Sequence, residues 1–105
     1  MSSDDAPHFR MYIGGEWIDT EDRYEIRSPA TERLIATVAR GDIAHADRAV
    51  AAAHAAHVDG EWRSTPPAQR AQLLRTVADR FAERTYELAP LHAEEIGATI
   101  RLAEP

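Results

Sequence analysis

Apolar and polar positions change period once along this chain. The first forty residues read as strands. Met11 to Asp19 holds two short strand-like runs on either side of Gly14-Gly15, and such a pair supplies the positive φ angles of a two-residue hairpin turn. Tyr24-Glu25-Ile26-Arg27-Ser28 alternates apolar and polar residues, as a half-buried strand does. Pro29-Ala30-Thr31-Glu32 reads as a turn, and the β-rich Leu34 to Ala39 returns as the partner strand. These segments predict a small antiparallel sheet of two hairpins. A sheet of that size must pack against something to persist in water.

From Asp42 onward the pattern is helical. Asp42 suits an N-cap, and Ile43 to about His57 is dominated by Ala. Ile43, Ala46, Val50 and Ala53 share a face. Small residues nearly all round this helix predict close packing on more than one side. Asp59-Gly60 ends it, and Glu61 to Ser64 connects it to the next. A second helix is expected from Thr65-Pro66-Pro67, with Leu73, Leu74, Val77, Ala78 and Phe81 as its apolar stripe. A third is expected from about Tyr86 to Ile96, with Thr85 as a candidate cap. Pro90 should weaken or delay its first turns, and Gly97 suits a left-handed C-terminal position. The pattern stops midway between Ile100 and Pro105. The Ala-rich helix and the Leu stripe ask for more cover than these elements provide.

Composition narrows the function classes. A chain of 105 residues makes one small domain with a thin core. It has 12 basic residues, all Arg, against 18 acidic ones, for a net charge of −6. That balance argues against nucleic-acid or membrane-surface binding, which need a basic patch. There is no Cys, hence no disulfide, thiolate nucleophile or Cys-based metal site in this sequence. The acidic, polar start MSSDDAPHFR lacks the apolar core of a signal peptide, and no apolar run is long enough to span a bilayer. A cytoplasmic location is the expectation.

Gly14-Gly15 is no phosphate loop, because strand-forming Trp17 and Ile18 follow where a helix would have to begin. His54 and His57 lie three apart on one helix face, a spacing that can serve one metal. Asp59 is the nearest further ligand, and His45 lies on another side, so solvated or partly packed histidines are the simpler reading. Arg70 falls in line with the Leu stripe; it could hold a phosphate or carboxylate, but more often such an Arg pairs with an acid or extends to water. Glu94 and Glu95 point about 100° apart on a helix and do not share a site. Trp17 and Trp62 read as packing anchors. No serine nucleophile elbow, phosphate loop or zinc-protease motif is present.

Five segments occur in one order: YIGGEW, SPATERLIATVARGD, ADRAVAAAHAAH, GEWRSTPPAQRAQLL and YELAPLHAEEIG. In order and spacing they resemble the N-terminal segment of the NAD(P)-dependent aldehyde dehydrogenase superfamily. Each alone is a weak signal; five in register are a strong one. The resemblance covers about Tyr12 to Ala103. Ser28 and Glu32 stand where the family usually has Asn and Gly, so the turn at Pro29 is expected to be altered. His57 stands in place of an aromatic residue, and Ala98 in place of a Lys.

The resemblance implies an α/β fold, seen as α+β in a fragment. Two N-terminal β-hairpins are followed by three α-helices, at the incomplete edge of a cofactor-binding domain. Residues 1–10 would be a disordered leader and 11–105 a partial N-terminal domain. A complete member oxidises an aldehyde to a carboxylic acid with NAD or NADP, using a Cys nucleophile and a Glu that activates water. None of those positions lies in this segment, so no catalytic, cofactor-binding or metal residue is assigned, and no cofactor is expected on this chain alone. The expectation is an inactive N-terminal fragment. Its alternatives are one chain of a split enzyme, or a non-enzymatic interaction module. Its expected partner is the remainder of an aldehyde dehydrogenase, or a second copy through exposed apolar surface.

Overall fold

The computed structural model describes residues 5–103. Strands β1 (His8–Phe9), β2 (Met11–Ile13), β3 (Glu16–Ile18), β4 (Arg23–Arg27) and β5 (Leu34–Ala39) come first. Helices α1 (Ile43–Asp59), α2 (Pro67–Glu83), α3 (Thr85–Ile96) and α4 (Ile100–Ala103) follow, with a 3-10 turn at Glu61–Ser64 before α2. The chain divides into two compact units. One holds the described residues up to Ile26 together with Ala36–Ser64; the other holds Arg27–Ile35 and the described residues from Thr65.

In the first unit, β2 and β3 form the expected hairpin, pairing Met11 with Ile18, Tyr12 with Trp17 and Ile13 with Glu16. Gly14 and Gly15 have φ of 60° and 88°. Positive φ at both turn positions twists the connection to match the strands, and only glycine takes it without steric cost. The turn approaches α1 closely: a Cβ on Gly14 would stand 3.4 Å from the Ala52 methyl. Small side chains on α1 are what permit that approach. The expected packing on several sides is not found, since α1 buries none of its residues.

The strands do not make one antiparallel sheet. β2 and β3 stand as a separate two-stranded sheet, and a three-stranded sheet has the order β1-β5-β4. β4 and β5 run antiparallel, framed by Ser28 N–H donating to the Arg33 carbonyl and Arg40 N–H to the Asp22 carbonyl, both at 2.9 Å. β1 runs parallel to β5, pairing His8 with Thr37 and Phe9 with Val38. The expected disordered leader therefore does not extend through His8–Phe9; residues 1–4 lie outside the described residues. A two-residue strand has no period to detect, and it exists because β5 offers it an open edge.

In the second unit, the turn after β4 lies against the end of α3. Ser28 is buried, and its hydroxyl accepts from the N–H groups of Ala30 and Thr31, each at 3.3 Å. Glu32 sits in the left-handed region at φ 59°. At Gly97, φ is 73° and a Cβ would come within 2.8 Å of Pro29 Cγ. The C-terminal glycine thus both ends α3 and leaves room for the Pro29 turn. Arg33 pairs with Glu94 across the same contact.

The third helix departs from expectation at its start. Thr85 is its first residue rather than its cap, and Arg84 alone separates it from α2. The Arg84 guanidinium donates to both Glu87 carboxylate oxygens, at 3.0 and 2.6 Å, without any side-chain cap. Pro90 does not delay the helix. Pro90 and Tyr86 are both exposed, so the carbonyl that Pro90 cannot serve is open to water.

The left-handed Glu32 yields a prediction. A non-glycine residue in that region costs roughly 1–2 kcal/mol, and glycine returns about 0.5–1 kcal/mol of that as unfolded-chain entropy. Glu32→Gly should therefore stabilise the chain by about 0.5–1 kcal/mol, read as a raised denaturation midpoint. Glu32→Val should lower it.

Candidate functional site

The features that chemistry could use are spread over the fold. The Gly14-Gly15 turn leads into strand β3, so its N–H groups do not open a helix. His54 and His57 sit exposed on α1. Among the described residues, no group of three His, Asp or Glu side chains could hold a metal ion. Arg70 is half-buried on α2. Glu94 and Glu95 diverge as their spacing requires: Glu94 pairs with Arg33, and Glu95 edges a groove with Leu91 and His92.

The two tryptophans are not buried anchors. Trp17 is 62% exposed. Its ring packs against Tyr12 at 4.9 Å between centroids, and the Arg10 guanidinium lies 6.0 Å from it. Trp62 is likewise exposed, in the 3-10 turn.

His45 has a role that its sequence spacing signalled only in part. It is the third residue of α1, and it completes a capping box with Asp42. Its N–H donates to Asp42 Oδ1 at 3.0 Å, and its ring Nδ1 lies 2.6 Å from the same oxygen. The His45 N–H first, and the ring second, hold the Asp42 carboxyl below its ordinary value. The side chain usually found at this position of a capping box is Glu or Gln, so the sequence alone does not signal His45 as a partner.

An exposed apolar stripe runs along α2. Leu73, Leu74, Val77 and Phe81 on α2 are all exposed. Between α2 and α3 runs a shallow groove lined by Val77, Arg80, Phe81, Arg84 and Leu88. A second, lined by Phe81, Leu88, Leu91, His92 and Glu95, shares two of those residues. The rim charges are matched within the helices, Arg80 with Glu83 and Arg84 with Glu87. Such a surface suits burial against another apolar layer. No helix among the described residues is long and apolar enough to cross a membrane.

Residues 17–105 match the model of the aldehyde dehydrogenase family. The chain belongs to that family. It is 35% identical, over 97 residues, to a 3,6-anhydro-alpha-L-galactose dehydrogenase from Vibrio sp. strain EJY3; the match takes in 90% of this chain and 20% of that one. Its fold superposes on an NAD-dependent aldehyde dehydrogenase from Sinorhizobium meliloti with a TM-score of 0.85 at 28% identity, over 93% of this chain and 20% of that one. A Mycobacterium tuberculosis aldehyde dehydrogenase complexed with NAD+ gives a TM-score of 0.78 at 38% identity, over 86% and 19%. The chain thus spans about a fifth of the length of these relatives and corresponds to the N-terminal part of the aldehyde dehydrogenase sequence.

The glycine pair precedes a strand. The N-terminus of α1 is already taken by the Asp42 carboxylate, which would repel a phosphate. The N-terminus of α2 opens on Pro66 and Pro67, which have no N–H to offer.

The Asp42 cap carries a signed prediction. A carboxyl depressed in the folded state adds stability above its unfolded value of 3.8 and loses it as pH falls through the folded one. The His45 amide proton resonance should therefore move in acid below that value. Asp42→Asn keeps a cap oxygen but cannot titrate, so the same resonance should stay still.

Proposed function

We propose that this chain is the N-terminal scaffold of an NAD(P)-dependent aldehyde dehydrogenase and has no turnover alone. The observation that carries the reading is the family match across residues 17–105 by a chain that spans a fifth of its relatives. The chemistry agrees. Thiohemiacetal formation needs a thiolate, and this sequence has no Cys. NAD or NADP would be held, and the aldehyde attacked, by residues that this chain does not contain. Its own part is to supply a layer: the exposed Leu74, Val77 and Phe81 of α2 and Leu91 of α3 would be covered by the catalytic remainder. Burying one such side chain is worth roughly 1.5–3 kcal/mol, against a net stability of about 5–15 kcal/mol for a small domain. That margin is why the chain alone should be weakly stable.

The test has two arms. Purified chain, given NAD+ or NADP+ and a panel of aldehydes, should produce no NADH or NADPH. Co-expression with a related enzyme deleted of the matching segment should raise the chain's solubility, and Leu74→Glu with Phe81→Glu should abolish that gain. Turnover by the chain alone that survives repurification and disappears with a point change in it would refute the proposal. So would a sharp, high-temperature melt of a monomer that binds no apolar dye.

A further inference from the structure

His8 joins three segments through one imidazole. Its Nδ1 lies 2.9 Å from the Thr37 hydroxyl on β5. Its Nε2 lies 2.9 Å from Asp19 Oδ1, just past β3. Asp19 Oδ1 also accepts from the Thr20 N–H at 2.8 Å. β1 has two residues, so its ladder to β5 is short and the ring contributes much of what holds it.

The donors and acceptors can be assigned. An ionised carboxylate only accepts, so Nε2 carries a proton whether the ring is neutral or cationic. Nδ1 faces a hydroxyl, which can donate to a bare nitrogen or accept from a protonated one. Rotating the Thr37 O–H exchanges the two arrangements and keeps both bonds. Protonating the ring adds charge to the Asp19 contact and breaks nothing. The charged groups around the clasp are Asp19 and Arg23, the latter 3.9 Å from the other Asp19 oxygen. β5 presents the neutral Thr37 hydroxyl, and Arg10, beyond β1, stands over Trp17.

We propose that His8, Asp19 and Thr37 form a protonation-tolerant clasp. Its bonds are kept with the imidazole in either charge state, and β1 is released from β5 when Asp19 is neutralised. The acidity of Asp19 agrees in direction: the His8 hydrogen bond first, then the Thr20 N–H, hold its carboxyl below the ordinary value of 3.8. Stability of that origin is present above 3.8 and is lost as pH falls through the depressed folded value.

Amide hydrogen exchange on the full chain tests the clasp. The Thr37 N–H donates to the Pro7 carbonyl at 3.0 Å and reports β1 docking; the Arg40 N–H, bonded to the Asp22 carbonyl, reports the β4–β5 ladder. Between about pH 8 and 5, Thr37 protection relative to Arg40 should stay constant within about twofold, whatever the charge on the ring. Below 3.8 it should fall, and Asp19→Asn should remove that fall. Thr37→Val keeps the shape but removes the partner of Nδ1 in either charge state, so its relative protection should lie about tenfold below wild type across that range. A wild-type drop at Thr37 over that range, with Arg40 unchanged, would overturn the proposal. Thr37→Val protection equal to wild type would also overturn it. The wild-type profile alone decides the case if Thr37→Val loses the ladder.

Discussion

Burial in this molecule rests on β5. Leu34, Ala36 and Ala39 of that strand, with Ala89 of α3, are the buried apolar residues among those described. β5 is the central strand of its sheet and contributes residues to both compact units. An apolar strand paired on both edges satisfies its backbone and buries its side chains together. The elements around it are attached by smaller means. β1 is held by a short ladder and the His8 bonds, and the hairpin by the close approach of Gly14 to Ala52. The Pro29 turn is held by the room at Gly97 and the Arg33–Glu94 pair.

The scarcity of buried volume follows from residue size. Three of the four buried apolar residues are Ala, and none of the large side chains is fully enclosed. The large apolar groups lie outside: Ile43 is 82% exposed and Val50 70%. Isolated exposed apolar residues are ordinary on any surface, whereas a run of them along one helix face is not. On α2 that run follows the helical period, so its side chains were placed to be covered. Membership of the aldehyde dehydrogenase family gives this a sense, because relatives about five times longer share the same segment.

Local chemistry made much of the fold legible. Gly14-Gly15 between two strand runs required a hairpin, because the pair of positive φ angles has few other uses. Asp42 before an Ala-rich run required a helix start, and Gly97 after an apolar run required a left-handed stop. Each is settled within a few residues by backbone sterics and unpaired N–H or C=O groups, so a single sequence suffices. The family was legible for another reason: five short patterns held their order and spacing across the chain.

What only the tertiary structure decided depends on partners far apart in sequence. His8 became a strand residue because β5 left an edge open 29 positions away. Two hairpins became two separate sheets because pairing between strands is a choice among edges that periodicity does not rank. Glu94 took its role from Arg33, and Trp17 is left 62% exposed on the hairpin. The sequence by itself determined the elements, their caps and turns, and the family, since these are local or ordered along the chain. The tertiary structure decided strand pairing, ion pairs and which apolar faces remain uncovered, because those depend on which surfaces meet in space.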